Sequence, residues 1–304
     1  MRHFLELSDA GRDGITALLD AADRYQALRG KREAPRPLGG KSVALLFEKA
    51  STRTRLSLEV AVVELGGHAI WMSGAGSQFG RGEPMADTSR VLSRMVHAVT
   101  FRTTAHERLL ELAQHSEIPV LNALTDHGHP MQLLADLMTV RRVRGRLEGL
   151  KFAWIGDGNN MANSWLEAAG LLELDLTLAC PAGYDPDAAE IERARERGGR
   201  VEVVRDPLDA ARGADVISTD VFASMGQEAE QRQRLEMFRG MCVTRKVVEA
   251  ASKEAMVLHC LPAHRGEEIE AEVLEGPHSF VWDQAEARLH TAKAALVWAL
   301  EAYE

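Results

Sequence analysis

Short apolar runs alternate with helix-like patterns over most of the chain, and this alternation restricts its fold more than any other feature. The runs have the length of buried strands, and the segments between them repeat apolar residues at the spacing of an amphipathic helix. The predicted strands are Ser42 to Phe47, Ala69 to Met72, Ala98 to Phe101, Pro119 to Asn122, Phe152 to Ile155, Leu176 to Ala179, Val201 to Val204, Val216 to Ser218 and Val257 to Cys260. Because strands joined through helices usually pair in parallel, the pattern predicts an α/β fold with parallel sheets.

Helices are predicted between these strands and at both ends of the chain. Ser8 is a candidate N-cap for an opening helix. The other main predicted helices are Arg55 to Leu65, Met85 to Val96, His106 to Ala113, Pro130 to Val143 and Gln284 to Tyr303. Pro130 suits the first position of its helix, and His129 is the expected cap residue before it.

A polar stretch bounded by glycines, Gly145 to Gly149, separates two blocks of this alternation. A chain of 304 residues has the length of two domains. We therefore predict two doubly wound domains with central parallel sheets, formed by residues 1–146 and residues 147–285. The C-terminal helix is expected to pack back on the first domain and to add residues 286–304 to it.

The composition limits the partners of the chain. Its 36 Lys and Arg against 45 Asp and Glu give a formal net charge of −9, which provides no broad attraction to nucleic acid or to an anionic membrane surface. No apolar stretch approaches the roughly 18 residues of a membrane span, and the N-terminal residues lack the apolar core of a signal peptide. The 3 cysteines, without CxxC spacing, argue against a disulfide framework. We expect a cytoplasmic protein that binds neither nucleic acid nor membrane.

A possible anion site stands where the first predicted strand leads into a helix. The run Ser51 to Arg55 reads Ser-Thr-Arg-Thr-Arg and combines three hydroxyls with two guanidiniums. A helix start also presents unpaired N–H groups and the positive end of the helix dipole, which together suit a phosphate dianion. An N-capping serine followed by solvated arginines would give the same pattern.

Two further candidate ligand-binding sites lie in the first half of the chain, one before a predicted helix and one after a predicted strand. Residues 78–83, Gln-Phe-Gly-Arg-Gly-Glu, form a loop that begins at Gln78 and leads into a helix, and a plain turn is the simple alternative. Arg102 follows the strand that ends at Phe101, at the carboxyl edge where open α/β sheets usually bind ligands. A solvated arginine at a strand end is the alternative there.

His129 and Gln132 place an imidazole and an amide at the first turn of the helix from Pro130. Such groups can polarise a carbonyl. His127, two residues earlier, makes a metal site conceivable, but no acidic ligand at a suitable spacing accompanies the pair. A histidine that only caps the helix is the other interpretation.

Residues 156–161 read Gly-Asp-Gly-Asn-Asn-Met, follow a strand and open a helix, which is the context of a dinucleotide site. Met161 replaces the third glycine of that fingerprint, and the acidic residue expected after the next strand is not evident near Cys180. Nicotinamide binding is therefore not expected. Asn159 and Asn160 instead offer amides that suit a carboxylate, although such residues more commonly cap helices.

Acidic and thiol groups follow two later strands. Asp220 closes one of them and suits an ammonium group, and Ser224 and Met225 stand in the loop after it. Cys260 ends another strand, which places a thiol at the same sheet edge. The alternatives are a loop aspartate that caps a turn and a buried core cysteine.

Taken together and in this order, these segments resemble the aspartate/ornithine carbamoyltransferase family along almost the whole chain. The run at Ser51 to Arg55, the loop at 78–83 and the His-Pro-Met-Gln at His129 resemble the carbamoyl phosphate half of that family. The later motifs, with Ser-Met-Gly-Gln-Glu at 224–228 and His-Cys-Leu-Pro-Ala at 259–263, resemble its ornithine-specific branch. The chain differs from the common family pattern at three alanines, Ala50, Ala123 and Ala287.

The resemblance implies a carbamoyl transfer. The δ-amine of L-ornithine would attack the carbamoyl carbon of carbamoyl phosphate, giving L-citrulline and phosphate without a metal or an organic cofactor. The implied carbamoyl phosphate ligands are Ser51, Thr52, Arg53, Thr54, Gln78, Arg102, His129, Gln132, Cys260, Leu261 and Arg288. The implied ornithine ligands are Asn160, Asp220, Ser224 and Met225. The implied catalytic residues are Arg102, His129, Gln132, Asp220 and Cys260.

The resemblance also implies a homo-oligomer, either a trimer or an assembly of trimers with shared active sites, in which Gln78 reaches into a neighbouring subunit. Enzymes that carbamoylate aspartate, putrescine or acetylornithine are the alternatives within the same chemistry. The aspartate enzymes usually carry a lysine in the loop where Gln78 lies. A non-catalytic binder of phosphate compounds would explain the arginines, but it would not need Asp220, His129 and Cys260 together at strand ends.

Overall fold

The structure of the protein is a computed structural model that describes residues 2–223 and 231–302. The chain divides into two compact units, one formed by Met1–Met138 with Glu286–Glu304 and the other by Thr139–Ala285. Most of the last helix therefore belongs to the first unit, although it is reached only after the second unit is complete. None of the helices among the described residues has the length and apolar character needed to cross a membrane.

Nine strands make up the two sheets of the described residues. They are β1 (Ser42–Phe47), β2 (His68–Ser73), β3 (Ala98–Arg102), β4 (Val120–Leu124), β5 (Lys151–Ile155), β6 (Asp175–Ala179), β7 (Arg200–Val204), β8 (Val216–Thr219) and β9 (Met256–His259). The α-helices are α1 (Gly11–Ala27), α2 (Arg53–Glu64), α3 (Met85–Leu92), α4 (His106–Gln114), α5 (Pro130–Arg144), α6 (Asn160–Leu172), α7 (Ala188–Glu196), α8 (Pro207–Ala211), α9 (Gln231–Met237), α10 (Arg245–Ala250), α11 (Ala271–Leu274) and α12 (Val281–Ala299).

The sheet of the first unit has the order β2-β1-β3-β4, and all neighbouring strands run parallel. Strand β1 is buried over five of its six residues, as its continuous apolar sequence predicts for a strand covered on both faces. Its last residue, Phe47, pairs with Arg102 at the end of β3. The chain segments that follow β1 and β3 therefore leave the sheet side by side.

The sheet of the second unit has the order β7-β6-β5-β8-β9 and is also parallel throughout. The last residues of the three strands β5, β8 and β9 are in register, because Ile155 pairs with Thr219 and Thr219 pairs with His259. The residues after these strands consequently meet at one carboxyl edge, the usual place for a ligand in such a sheet. The predicted α/β class with two parallel sheets is confirmed.

Element boundaries differ from the sequence-based expectations in a few places. The prediction of Ser8 as an N-cap is wrong, because Ser8 lies inside a 3-10 turn, Leu7–Asp9, and α1 begins only at Gly11. The carboxylate of Asp9 explains the turn, since it accepts hydrogen bonds from the N–H groups of Leu5 at 2.6 Å and Glu6 at 3.0 Å. Helix α2 begins two residues earlier than predicted, which brings more of the arginine run into the helix.

Candidate active site

The predicted anion site lies at the beginning of α2. The helix starts at Arg53, and Thr52 occupies the N-cap position without a side-chain capping bond. The hydroxyl of Ser51 instead accepts the N–H of Thr54 at 3.3 Å. Thr52 is exposed, while Ser51 and Arg53 are half-buried, so all three remain accessible to a ligand at the positive end of the helix dipole.

Thr54 is buried and joins the arginine run to residues far along the chain. Its Oγ1 accepts hydrogen bonds from Nη1 of Arg102 at 3.0 Å and from Nη2 of Arg288 at 2.8 Å. Arg288 also donates from Nη1 to Oε1 of Gln132 at 2.8 Å. The structure thus brings together four of the residues predicted for carbamoyl phosphate, one each from α2, β3, α5 and α12.

Asp136 is a member of this cluster that sequence reasoning missed. Its Oδ1 accepts the amide Nε2 of Gln132 at 2.8 Å, which fixes the orientation of the amide and turns its oxygen toward Arg288. The two residues stand four apart on α5, on the same helix face, and that spacing was the available signal. Arg102, Arg288 and Asp136 are all buried. Two buried guanidiniums that donate to one hydroxyl suit an anionic ligand.

His129 lies in the same buried region, directly before α5. Burial holds the pKa of its imidazole well below the usual value of 6.5, and the positive charges of Arg288 and Arg102 lower it further. The ring is therefore neutral at neutral pH and carries one N–H. A neutral imidazole of this kind can donate a hydrogen bond to a carbonyl oxygen without competing for the proton of an attacking amine.

His127 points to different neighbours. Its Nε2 lies 3.6 Å from Oε1 of Glu6, and its ring centre lies 4.7 Å from that of His106. Among the described residues, neither His127 nor His129 belongs to a cluster of potential metal ligands. The conceived metal site at these two histidines is thus not formed.

The loop that carries Gln78 is tightly folded, although Gln78 itself is exposed. A 3-10 turn, Phe79–Arg81, follows it, and the buried ring of Phe79 packs edge-on against Phe101 at 6.2 Å. Gly80 passes so close to Gly74 that a Cβ at this position would lie 1.9 Å from the carbonyl oxygen of Gly74. The backbone is therefore fixed while the amide of Gln78 faces away from the core of its own chain.

Three polar groups meet at the carboxyl edge of the second sheet. Sγ of Cys260 donates to Oδ1 of Asp220 at 2.9 Å, and Nδ2 of Asn159 donates to Oδ2 of the same carboxylate at 3.4 Å. Asn159 also caps α6, since its Oδ1 accepts the N–H groups of Met161 and Ala162. The neighbouring Asn160, the predicted ornithine ligand, is half-buried as the first residue of that helix.

Asp157 and Arg234 form a buried ion pair beside these groups. Nε of Arg234 donates to the carbonyl of Phe222 at 2.6 Å, which ties the loop after Asp220 to α9. The pKa of Asp157 is raised to about 6, because burial and the nearby negative charge of Asp220 raise it by more than the contact with Arg234 lowers it. Sequence reasoning missed Arg234, because the partners are 77 residues apart and no local pattern relates them.

His259 fixes the loop that contains Cys260. Its Nδ1 accepts the N–H of Leu261 at 2.8 Å, so the ring proton sits on Nε2, which lies 3.0 Å from Oε1 of the fully buried Glu268. Leu261 has a φ of 59°, and its bond to Pro262 is cis. The hydrogen bonds of His259 to Leu261 and Glu268 hold the backbone next to Cys260 and thereby the thiol.

Two clusters could hold a metal ion within the described part of the chain. They are Asp220 with His259 and Cys260, and His264 with Glu267 and Glu268. Both nitrogens of His259 already take part in hydrogen bonds, so a metal ion at the first cluster would have to displace one of them. Ser224 and Met225, predicted to bind ornithine, lie outside the described residues.

Comparison with known proteins adds to this geometry. Residues 2–142 match the carbamoyl-P binding domain of the aspartate/ornithine carbamoyltransferases, and residues 148–299 match their Asp/Orn binding domain. The chain belongs to the aspartate/ornithine carbamoyltransferase family. The resemblance seen in the motifs is thereby confirmed, and so is the prediction that the protein is a carbamoyltransferase.

Similar members of the carbamoyltransferase family cover the chain from end to end. An ornithine carbamoyltransferase of Halorhodospira halophila is 52% identical over 303 residues, which is 100% of both chains. The anabolic ornithine carbamoyltransferase of Pseudomonas aeruginosa is 47% identical over 301 residues, or 99% of this chain and 98% of the relative. The solved structure of ornithine carbamoyltransferase from Pyrococcus furiosus superposes with a TM-score of 0.93 at 44% identity, covering 100% of this chain and 98% of the other.

Proposed function

We propose that the protein is an ornithine carbamoyltransferase that transfers the carbamoyl group of carbamoyl phosphate to the δ-amine of L-ornithine, in arginine metabolism. The observation that carries this proposal is the 52% identity to an ornithine carbamoyltransferase over 100% of both chains. The lone pair of the δ-nitrogen forms a bond to the carbamoyl carbon, and the bond from that carbon to the phosphate oxygen breaks. The products are L-citrulline, phosphate and the proton that leaves the nitrogen.

In this proposal, residues 1–146 with 286–304 form the carbamoyl phosphate-binding domain. Thr54 supports a phosphate site, because both lone pairs of its hydroxyl accept from arginines and its own hydrogen is left to donate to an anion. The phosphate ligands are Ser51, Thr52, Arg53 and Thr54, with Gln78 from a neighbouring subunit. The carbamoyl ligands are Arg102, His129, Gln132 and Arg288.

The proposed catalytic role of Arg102 and His129 is to stabilise the negative charge that develops on the carbamoyl oxygen. As the amine attacks, the carbamoyl oxygen gains negative charge, and preorganised donors at this oxygen stabilise the transition state more than the substrate. The guanidinium of Arg102 and the neutral imidazole of His129 are such donors. Their positions are set before substrate arrives, since Thr54 holds Arg102 and the buried surroundings hold His129.

Residues 147–285 form the proposed ornithine-binding domain. A free δ-amine has a pKa near that of lysine, about 10.4, and must lose a proton before it can attack. The carboxylate of Asp220, with the thiol of Cys260 hydrogen-bonded to it, is the proposed partner of that nitrogen. Asn160, Ser224 and Met225 are proposed for the α-carboxylate and α-amino groups, and Leu261 for contact with the carbamoyl group.

We further propose a homo-oligomer built from trimers and a cytoplasmic location. Support for the oligomer comes from the first unit, which exposes several large apolar side chains. Among them are Leu56 at 61%, Val63 at 59%, Trp71 at 44% and Met95 at 72%. Apolar exposure of this kind marks association surfaces. The three cysteines are free thiols, which suits a reducing compartment.

A carbamoyl-transfer assay with four acceptors tests the proposed function. Purified protein is supplied with carbamoyl phosphate and, in separate reactions, with L-ornithine, putrescine, N-acetylornithine or aspartate, and phosphate release and the ureido product are both quantified. We expect ornithine to give the highest kcat/KM by at least about 100-fold, because putrescine lacks both the α-carboxylate and the α-amino group and N-acetylornithine lacks the free α-amino group. Transfer to another acceptor with no citrulline from ornithine would refute the assignment.

A further inference from the structure

Arg108, on α4, links three segments of the first unit. Its Nη2 lies 2.9 Å from Oε1 of Glu48, 3.1 Å from the carbonyl oxygen of Phe79 and 3.1 Å from Sδ of Met85. The other oxygen of Glu48 accepts a hydrogen bond from the hydroxyl of Thr103. A single ion pair therefore contacts the chain after β1, the chain after β3 and the loop before α3.

Each of these segments carries a residue proposed to bind carbamoyl phosphate. Glu48 lies three residues before Ser51, Thr103 follows Arg102, and Phe79 follows Gln78. The N–H of Glu48 also donates to the carbonyl of Arg102 at 2.9 Å, so the first two segments are joined through the backbone as well. The loop with Gln78 is not joined to these two segments by strand pairing. The hydrogen bond from Arg108 to the carbonyl oxygen of Phe79 links this loop to the segments that follow β1 and β3.

We propose that Glu48 and Arg108 are positioning residues for the carbamoyl phosphate site. The pair holds the start of α2 at a fixed spacing from Arg102, and it also fixes the loop that presents Gln78 to the site of a neighbouring subunit, without touching the substrate itself. This inference deepens the proposed function and rests on it, because it takes Ser51, Arg102 and Gln78 as the substrate ligands.

The partial exposure of the pair distinguishes positioning from plain stabilisation. The side chain of Arg108 is 32% exposed and that of Glu48 is 20% exposed. Ion pairs with this much access to solvent contribute little to global stability. A bond from a guanidinium to a loop carbonyl can still restrict that loop, and loss of the restriction lowers the affinity of the ligand that the loop must meet.

The test combines three variants, Glu48→Gln, Arg108→Gln and the double variant, in the full-length protein. Inorganic phosphate is the probe for calorimetric titration, and KM is measured for carbamoyl phosphate and for ornithine. Arg108→Lys is included because it keeps the charge but loses the fork of the guanidinium. Arg90→Gln is the matched control, since Arg90 forms an exposed ion pair with Asp87 on the neighbouring α3. Thermal unfolding is recorded for every variant.

We expect each single variant to raise the phosphate Kd and the carbamoyl phosphate KM about tenfold, as loss of one charge-assisted contact would. The double variant should match the single variants rather than multiply their effects, because both remove the same link. Arg108→Lys should lie between the wild type and Arg108→Gln, and Arg90→Gln should match the wild type.

Unchanged Kd and KM values in the Glu48 and Arg108 variants, with or without a lower Tm, would overturn the proposal. The proposal would also be overturned if the Kd and KM increases of the two single variants multiplied in the double variant. Failure of the proposed function itself would give a different result. The wild type would then bind phosphate but form no citrulline, and the phosphate titrations would still decide the role of the pair.

Discussion

The guanidinium of Arg288 donates a hydrogen bond of 2.8 Å to the hydroxyl of Thr54, a residue 234 positions earlier in the chain. Its other nitrogen donates to Gln132, also at 2.8 Å. Arg288 lies on the helix that returns to the first unit after the second unit is complete. The return of this helix therefore completes the anion site in which Thr54 takes part.

The first prediction concerns the guanidinium of Arg288, whose two terminal nitrogens donate to different residues. Arg288→Lys keeps the positive charge, but a single ammonium cannot reach Thr54 and Gln132 with the same geometry. We expect kcat/KM for carbamoyl phosphate to fall about 100-fold, as removal of an oriented donor does in other sites. Steady-state kinetics checks this, with Arg29→Lys as the control because Arg29 forms an exposed ion pair with Glu64. Equal activity of Arg288→Lys and wild type would show that only the charge matters.

The second prediction concerns His129 and the pH dependence of stability. The folded protein holds the pKa of His129 well below 6.5, so between the two pKa values the unfolded chain binds a proton that the folded chain does not. Stability from this residue is therefore fully present above pH 6.5 and is lost as the pH falls below it. Urea unfolding at several pH values should show a shallower decline for His129→Gln than for wild type. The exposed His68→Gln should leave the slope unchanged.

An identical decline in His129→Gln and wild type would mean that folding leaves the pKa of His129 unchanged. The imidazole would then not lie in the buried surroundings beside Arg288 and Arg102, and its proposed role at the carbamoyl oxygen would have to be abandoned.

The third prediction concerns the coupling of two carboxylates in the second unit. Asp157 has a pKa of about 6, and the negative charge of Asp220 is one of the causes that raise it. Asp220→Asn removes that charge and should shift the titration of Asp157 to lower pH, as followed by carboxyl carbon chemical shifts in NMR. Because the folded-state pKa lies above the ordinary value of 3.8, the contribution of Asp157 to stability is lost as the pH rises through about 6. A midpoint unaffected by Asp220→Asn would contradict the coupling.

The fourth prediction separates the two substrates through Cys260. Its thiol donates to Asp220, and the proposal places both groups at the δ-nitrogen of ornithine. Cys260→Ala should therefore raise KM for ornithine by more than it raises KM for carbamoyl phosphate, while Cys260→Ser, which keeps a donor, should have a smaller effect. Cys242→Ala serves as the control at another half-buried thiol. A larger effect on carbamoyl phosphate than on ornithine would reverse the assignment of Cys260.

The parallel sheets and the strand ends could be predicted because their signals are local. Strand β1 was predicted over the same residues that the structure shows, from one continuous apolar run. Once the strands were placed, the position of Arg102, Asp220 and Cys260 at carboxyl edges followed from chain direction alone. The cap at Ser8 failed because a competing local interaction, the Asp9 carboxylate with two backbone N–H groups, stabilises a turn there instead.

The groups that hold the ligands in place could not be predicted in the same way. Arg108 reaches Glu48 from a different helix, and Arg234 reaches Asp157 across 77 residues. Such contacts depend on how separate elements pack. From the sequence alone, a charged residue on a helix is predicted to be exposed to solvent. The role of Asn159 illustrates the same limit, since the sequence offered two adjacent amides and only the structure shows which one caps α6.

Isotope labelling of both substrates tests the proposed carbamoyl transfer directly, because it follows the bond that the reaction makes. Carbamoyl phosphate labelled with ¹³C at the carbamoyl carbon is mixed with L-ornithine labelled with ¹⁵N at the δ-position, and the products are observed by NMR. We expect L-citrulline whose ureido carbon shows one-bond coupling to the labelled nitrogen, with one phosphate released per citrulline. Release of phosphate with the ¹³C only in carbamate or bicarbonate, or in a product bonded to the α-nitrogen, would contradict the proposed transfer.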